Sequence, residues 1–189
     1  MLVERIRRIR LGHGLDPETR MGPVISAGQR DQVLAMVATA VEEGARLLVG
    51  GQVPSGSGFE HGFWLEPTLL ADVRADMRIA REEIFGPVIT VERFNGEEQA
   101  LKLANDTLFG LAAGVWTRDI GKANRMARRL RAGTVWINDY NVAFPQAPWG
   151  GYKSSGIGRE LSRAGLDEFS EIKHIYLNTA PEPLNWFVG

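Results

Sequence analysis

No cysteine occurs anywhere in the 189 residues. That absence excludes a disulfide framework, a thiolate metal site and a thiol nucleophile supplied by these residues. No apolar run approaches the ~20 residues of a membrane span. No secretory apolar region opens the chain, because Met1 to Arg10 alternates apolar and basic residues. Neither sign of charge prevails: 22 basic and 23 acidic residues leave a formal charge of −1. A nucleic-acid or membrane partner held by bulk charge is therefore not expected. The five arginines from Arg118 to Arg131 lie on a helical pattern and read as a solvated face. The three histidines, His13, His61 and His174, have no metal-ligand spacing, and no metal site is expected. No Gly-x-Ser-x-Gly elbow is present. Gly156-Ile157-Gly158 lacks the third glycine of a dinucleotide fingerprint and follows no strand directly. Asn105-Asp106-Thr107 fits a glycosylation pattern, but without a secretion signal the match is chance. A cytoplasmic protein without a membrane anchor is the expectation.

What is present suits one large domain, or one domain with an appendage. A chain of 20.9 kDa is long enough to bury about 70% of its unfolded surface. Leu2 to Ile9 reads as the end of a helix that begins abruptly. Ser26 caps a helix running to Glu43, with Val33, Val37, Ala40 and Val41 at helical spacing. Arg46 to Val49 reads as a short buried strand, and the Gly/Ser-rich stretch from Gly50 to Gly62 as an exposed loop. A regular alternation follows. Ile89 to Phe94 is a strand. Asn95 caps a helix, with Glu98 placed for a capping box and Ala100, Leu101 and Ala104 facing inward. Leu111 to Trp116 is a strand, Asp119 opens a helix that buries Ile120, Ala123, Ala127 and Leu130, and Thr134 to Ile137 is a strand again. This order predicts an α/β fold, a parallel sheet flanked by helices. Phe144 to Gly158 is a long Gly/Pro loop, and such loops are more often functional than idle. Leu161 to Phe169 is a short helix, Ile172 to Leu177 a last strand, and an irregular tail carries Pro181, Pro183, Trp186 and Phe187. Trp64, Trp116 and Trp136 sit in strand patterns and read as core. No internal repeat or low-complexity segment occurs.

One stretch invites chemistry. In Glu82-Glu83-Ile84-Phe85-Gly86-Pro87-Val88, the glycine and proline force a turn that leaves Glu83 and Phe85 at the end of an element. A carboxylate there can accept two hydrogen bonds from a ribose diol, and an aromatic face can pack on a flat heterocycle. On composition alone, the simpler reading is a surface glutamate pair and a core phenylalanine.

A resemblance tips the balance. Leu11 to Pro23 (Leu-Gly-His-Gly-Leu-Asp-Pro-Glu-Thr-Arg-Met-Gly-Pro), Glu82 to Pro87, Asn105 to Ala112 (Asn-Asp-Thr-Leu-Phe-Gly-Leu-Ala), Ala132 to Asn138 (Ala-Gly-Thr-Val-Trp-Ile-Asn) and Pro148 to Leu161 (Pro-Trp-Gly-Gly-Tyr-Lys-Ser-Ser-Gly-Ile-Gly-Arg-Glu-Leu) resemble, in order, motifs of the NAD(P)-dependent aldehyde dehydrogenases. The likeness spans nearly the whole chain and corresponds to the last two-fifths or so of a family subunit. It implies oxidation of an aldehyde to a carboxylate with NAD or NADP, through a cysteine thiolate that these residues lack. By resemblance, Glu83 binds the nicotinamide-ribose hydroxyls, Phe85 packs near the nicotinamide, and Gln29 makes a weaker cofactor contact. Glu160 resembles a buried glutamate of a proton relay. Arg159 and Glu171 look like a pair near a subunit interface, and read equally well as an ordinary salt bridge. Trp149 lies where the family lines its aldehyde tunnel, and Asn138 stands at a strand end where pocket residues of parallel sheets gather.

The same resemblance assigns 1–160 to the C-terminal part of the catalytic domain, and 161–189 to a helix, an oligomerisation strand and a tail. An unpaired edge strand predicts association with another chain, either a homo-oligomer or an N-terminal half. Gln146 to Gly150 and Pro181 to Phe187 look most like the betaine-aldehyde dehydrogenases of the family. Without a thiol, the chain is expected to be inactive alone. The alternatives are a truncated or scaffold chain without catalysis, or one half of a split enzyme. The interrupted look of the first helix favours truncation.

Overall fold

The central strand of the first layer is one that periodicity does not reveal. In a computed structural model, which describes residues 1–182, β2 (Thr68–Ala71) is buried at all four positions. A strand covered on both faces shows no polar alternation, so its four residues carry no period to read. It pairs antiparallel with β1 (Arg46–Val49), Leu47 opposite Leu70, and parallel with β3 (Val88–Val91), Thr68 opposite Val88. β1 is an edge strand, and Arg46 and Leu47 are exposed where a buried strand was expected.

Chain packing divides the molecule into two units. One comprises Met1–Leu108 with Arg128–Leu130, the other Phe109–Ala127 with the residues from Arg131 onward. In the first unit, α1 (Leu2–Arg7) precedes α2 (Ala27–Glu42). Ser26 caps α2 as expected, its Oγ accepting the Gln29 N–H at 3.1 Å. Met36, Val37 and Ala40 of α2 bury against Leu70, Val73, Met77 and Ile79. Ile79 belongs to α3 (Arg78–Arg81), a single turn too short to show a helical period.

α4 (Gly96–Asn105) forms where expected, but its cap differs. The Asn95 N–H donates to Gln99 Oε1 at 2.6 Å, whereas Glu98 pairs with Arg129, Nη2 to Oε2 at 2.7 Å. A full charge partner outcompetes the capping role, and the guanidinium holds the Glu98 carboxyl below its ordinary range. Leu101 is buried, but Ala104 is exposed.

The second unit holds β4 (Phe109–Gly110), β5 (Ala112–Val115), β6 (Thr134–Ile137), β7 (Tyr152–Lys153) and α6 (Ser162–Asp167). α5 (Ile120–Arg129) begins here, with Asp119 Oδ1 accepting the Lys122 N–H at 2.9 Å. β5 and β6 are parallel, from Ala112 opposite Thr134 to Val115 opposite Ile137. β4 and β7 pair antiparallel. The fold is α/β, with two parallel strand pairs and flanking helices. It is not one ladder: β3 and β5 do not pair, and the chain between them turns aside at β4 to meet β7.

Three further expectations change. Ile120 is 73% exposed at the start of its helix, while Ala123, Met126 and Leu130 are buried. Trp64 is core, but Trp116 is 63% exposed. Ile172 to Leu177 forms no strand, and Ile172, Ile175, Tyr176 and Leu177 are exposed. A strand needs a neighbour for its backbone N–H and C=O groups, and among the described residues none pairs with this segment. Pro183, Trp186 and Phe187 lie outside the described residues.

Leu70, with no exposed surface, is the natural probe of the first unit's core. Leu70→Ala is expected to cost about 2–5 kcal/mol, because the rigid strand cannot collapse into the vacated space. A urea midpoint unchanged by the substitution would show that β2 is not the core strand.

Candidate functional site

The Glu83–Phe85 corner follows directly from α3. At the helix end Glu82 swings into extended backbone, and its carboxylate takes two hydrogen bonds from Arg78, both 2.8 Å. That pairing holds the Glu82 carboxyl below its ordinary range. The two glutamates are thereby divided: Glu82 is engaged, while Glu83 is exposed and, among the described residues, no side-chain bond or ion pair engages it.

Phe85 is not a core residue. It is 76% exposed and sits at a φ of 54°, a left-handed conformation that costs a residue with a β-carbon about 1–2 kcal/mol. Gly86 then passes hard against α2, where a Cβ would lie 2.6 Å from the Val33 side chain. Gln29, half-buried on α2, donates its Nε2 to the Phe85 carbonyl at 2.6 Å and approaches that of Ile84 at 3.4 Å. On the far side, the Pro87 carbonyl accepts the Thr68 N–H of β2 at 2.8 Å. The corner is therefore fixed from both sides, with a carboxylate and an aromatic ring turned to solvent. Gln29 and Phe85 are brought together, as carbonyl clamp and clamped residue, which no local pattern could have announced.

The second unit gathers aromatic rings. Trp149 is half-buried, and its backbone is bridged to that of Glu160, Trp149 N to Glu160 O at 2.8 Å and the reverse at 2.7 Å. Its ring lies 6.0 Å from that of Trp136, which is 5.4 Å from Tyr140, itself 6.5 Å from Trp116. Trp136 Nε1 donates to the Val142 carbonyl at 2.9 Å, tying down the loop after β6. Trp136, expected in the core, is half-buried, and Tyr140 joins the group from the loop after β6.

Asn138, at a φ of 55°, spends both ends of its amide on Thr117: Oδ1 accepts the Thr117 N–H at 2.8 Å and Nδ2 donates to its carbonyl at 2.9 Å. It braces the turn after β5 and borders a hollow of about 550 Å3 with Trp116, Thr117, Arg118, Ile120 and Ala123. This hollow lies beyond the C-terminal ends of two parallel strands, where α/β folds place ligands.

The loop carrying Trp149 is strapped from within. A Cβ on Gly133 would lie 1.6 Å from the Gly150 carbonyl oxygen, so this approach requires glycine. Arg159 donates to the Gly151 and Gly158 carbonyls at 3.1 and 2.6 Å and stands 5.4 Å over the Tyr152 ring. Arg159 forms no pair with Glu171; backbone carbonyls take the guanidinium instead. The Glu160 residue is exposed in this chain, where the resemblance implied burial. Among the described residues, no cluster of three or more His, Cys, Asp or Glu could hold a metal ion, and no helix is long and apolar enough to cross a membrane.

The chain belongs to the aldehyde dehydrogenase family, whose model, described as "Aldehyde dehydrogenase family", matches residues 1–175. It is 54% identical over 98% of its length to a betaine aldehyde dehydrogenase of Bacillus subtilis, and 52% identical over 94% to one of Mesorhizobium japonicum. It superimposes with a TM-score of 0.95, at 49% identity and over all of its length, on a crystal structure of Staphylococcus aureus betaine aldehyde dehydrogenase in complex with NAD+. The chain spans about 38% of the first of these relatives, 37% of the second and 37% of the crystallised chain.

Proposed function

We propose that this chain forms the C-terminal part of a cytoplasmic NAD(P)+-dependent oxidoreductase that oxidises an aldehyde to a carboxylate, with betaine aldehyde as its substrate. The observation that carries the reading is the Glu83–Phe85 corner, an unengaged carboxylate and an exposed ring held on a strained but anchored turn. These residues fit a nicotinamide nucleotide. Glu83 can accept hydrogen bonds from both hydroxyls of a ribose, and Phe85 offers a face to a flat ring, with Gln29 beside them. When bound, the nicotinamide supplies the hydride acceptor. Trp149 and Asn138 are assigned to the wall of the aldehyde's approach, and Glu160, its backbone bridged to that of Trp149, is an exposed carboxylate able to pass a proton to solvent. In this reading 1–160 belongs to the catalytic domain, and 161–189 supplies a helix, the segment Ile172 to Leu177, which would become a strand only by pairing with another chain, and a tail.

The nucleophile must come from residues outside these 189, because no thiol is present. The surface supports such a complement. Phe94, Phe144, Phe169 and Ile172 are among the large apolar residues left uncovered, and apolar surface of this kind marks interfaces. The same exposure favours a second reading, a scaffold chain that associates with other subunits without catalysis.

Betaine aldehyde carries a quaternary ammonium, which neither donates nor accepts a hydrogen bond and is best held by aromatic faces. Fused behind the N-terminal portion of the Bacillus subtilis enzyme, the chain can be assayed with betaine aldehyde and with its uncharged isostere 3,3-dimethylbutanal. Trp149→Ala is expected to lower kcat/KM for the cation by about 2- to 30-fold, corresponding to roughly 0.5–2 kcal/mol per face, and to spare the neutral aldehyde. An equal loss for both would leave Trp149 as packing and remove the support for a quaternary substrate. A fusion that folds and oxidises neither aldehyde would favour the scaffold.

A further inference from the structure

We propose that Gln29 is a positioning residue for Phe85, acting through the Phe85 carbonyl. The inference rests on the cofactor-facing role of the Glu83–Phe85 corner proposed above. Phe85 holds a φ of 54° that its side chain disfavours. An exposed corner left to itself would relax out of that conformation and carry the ring away. Two contacts from α2 oppose this. Gln29 Nε2 donates to the Phe85 carbonyl at 2.6 Å, across 56 residues of sequence. Val33, one helical turn further on, leaves room only for a glycine at 86. Residues four apart share one face of a helix, so α2 presents a donor and a wall to consecutive residues of the corner.

The helix is in turn anchored at that end, because the Gln29 N–H is bound by the Ser26 cap. Gln29 therefore joins a capped helix terminus to a strained turn. Its amide donor is committed within the chain before any nucleotide arrives, and its effect on binding and hydride transfer passes through the orientation of the Phe85 ring.

The test uses the 189-residue chain labelled with 13C-carbonyl phenylalanine and 15N-glycine. The sequence contains two Phe–Gly pairs, Phe85-Gly86 and Phe109-Gly110, so two cross-peaks are expected and the second serves as a folding control. A carbonyl that loses a hydrogen bond moves upfield. In Gln29→Met, which keeps the length but removes the donor, the Phe85 carbonyl is expected to move upfield and broaden while the Phe109 signal stays in place. Gln29→Glu, of the same shape without a donor, should do the same and guards against a misfolded methionine variant. Gln29→Lys restores a donor and should return the signal toward its original position.

A Phe85 resonance unmoved in both donor-less variants, with no nucleotide present, would overturn the proposal and leave Gln29 as a direct cofactor contact or a surface residue. If the carbonyl moves, and the fused enzyme nevertheless oxidises no aldehyde, the clamp stands and the oxidoreductase reading falls. In an active fusion, Gln29→Met should raise KM for the dinucleotide and lower kcat together, and Gln29→Lys should recover both.

Discussion

Incubated with NAD+ and any aldehyde, the purified 189-residue chain is expected to produce no NADH. The chemistry requires a nucleophile that is substantially ionised or activated near neutrality. A serine or threonine hydroxyl is not, unless a positioned base takes its proton. The three histidines are distant in sequence, and among the described residues none takes a hydrogen bond from a serine or threonine hydroxyl. Dinucleotide affinity should also fall short of the micromolar range, because no glycine-rich phosphate loop after a strand is present to hold the pyrophosphate. Calorimetry measures the second expectation and absorbance at the NADH band the first. Steady turnover by a sample free of contaminating enzyme would show that a hydroxyl here is activated after all. Micromolar binding would show that the nucleotide is held by something other than the Glu83–Phe85 corner alone.

Glu83→Gln in the active fusion carries the second large expected effect. A carboxylate accepting from two ribose hydroxyls uses both oxygens, whereas an amide presents one acceptor and one donor. Losing a hydrogen bond to a charged acceptor costs about 1.5–3 kcal/mol, so hydride transfer should slow by roughly 10- to 150-fold. The melting temperature should stay near that of the parent, because Glu83 is exposed and takes part in no side-chain bond among the described residues. Glu82→Gln is the informative control. It leaves at most one of the two hydrogen bonds from Arg78 and should leave hydride transfer largely unchanged. If Glu83→Gln unfolds the protein, Glu83 is structural. If Glu82→Gln slows the reaction equally, the division of labour between the two glutamates is wrong.

Much of the architecture was legible because it is written in local terms. The Ser26 cap, the apolar spacing of Val33, Val37 and Ala40, and the alternation from Ile89 to Ile137 each concern residues within a few positions of one another. β2 was not legible, since a four-residue strand buried on both faces has no period. α3 was not, because one turn is too short to show one. The capping role went to Gln99 because Arg129 claimed Glu98, and that partner comes from 31 residues away.

The sequence by itself determined the class of the protein. Ordered motifs identified the family, the strand–helix alternation identified the α/β layers, and the lack of cysteine removed the thiol nucleophile from these residues. Only the tertiary structure decided what each site residue is free to do. It turned Phe85 outward, engaged Glu82 and left Glu83 unengaged, committed both ends of the Asn138 amide to Thr117, and left Ile172 to Leu177 without a pairing strand. The reason is that periodicity and turn chemistry act between near neighbours. Exposure and hydrogen-bond commitment depend instead on groups brought close from far along the chain, as Gln29 is to Phe85 across 56 residues.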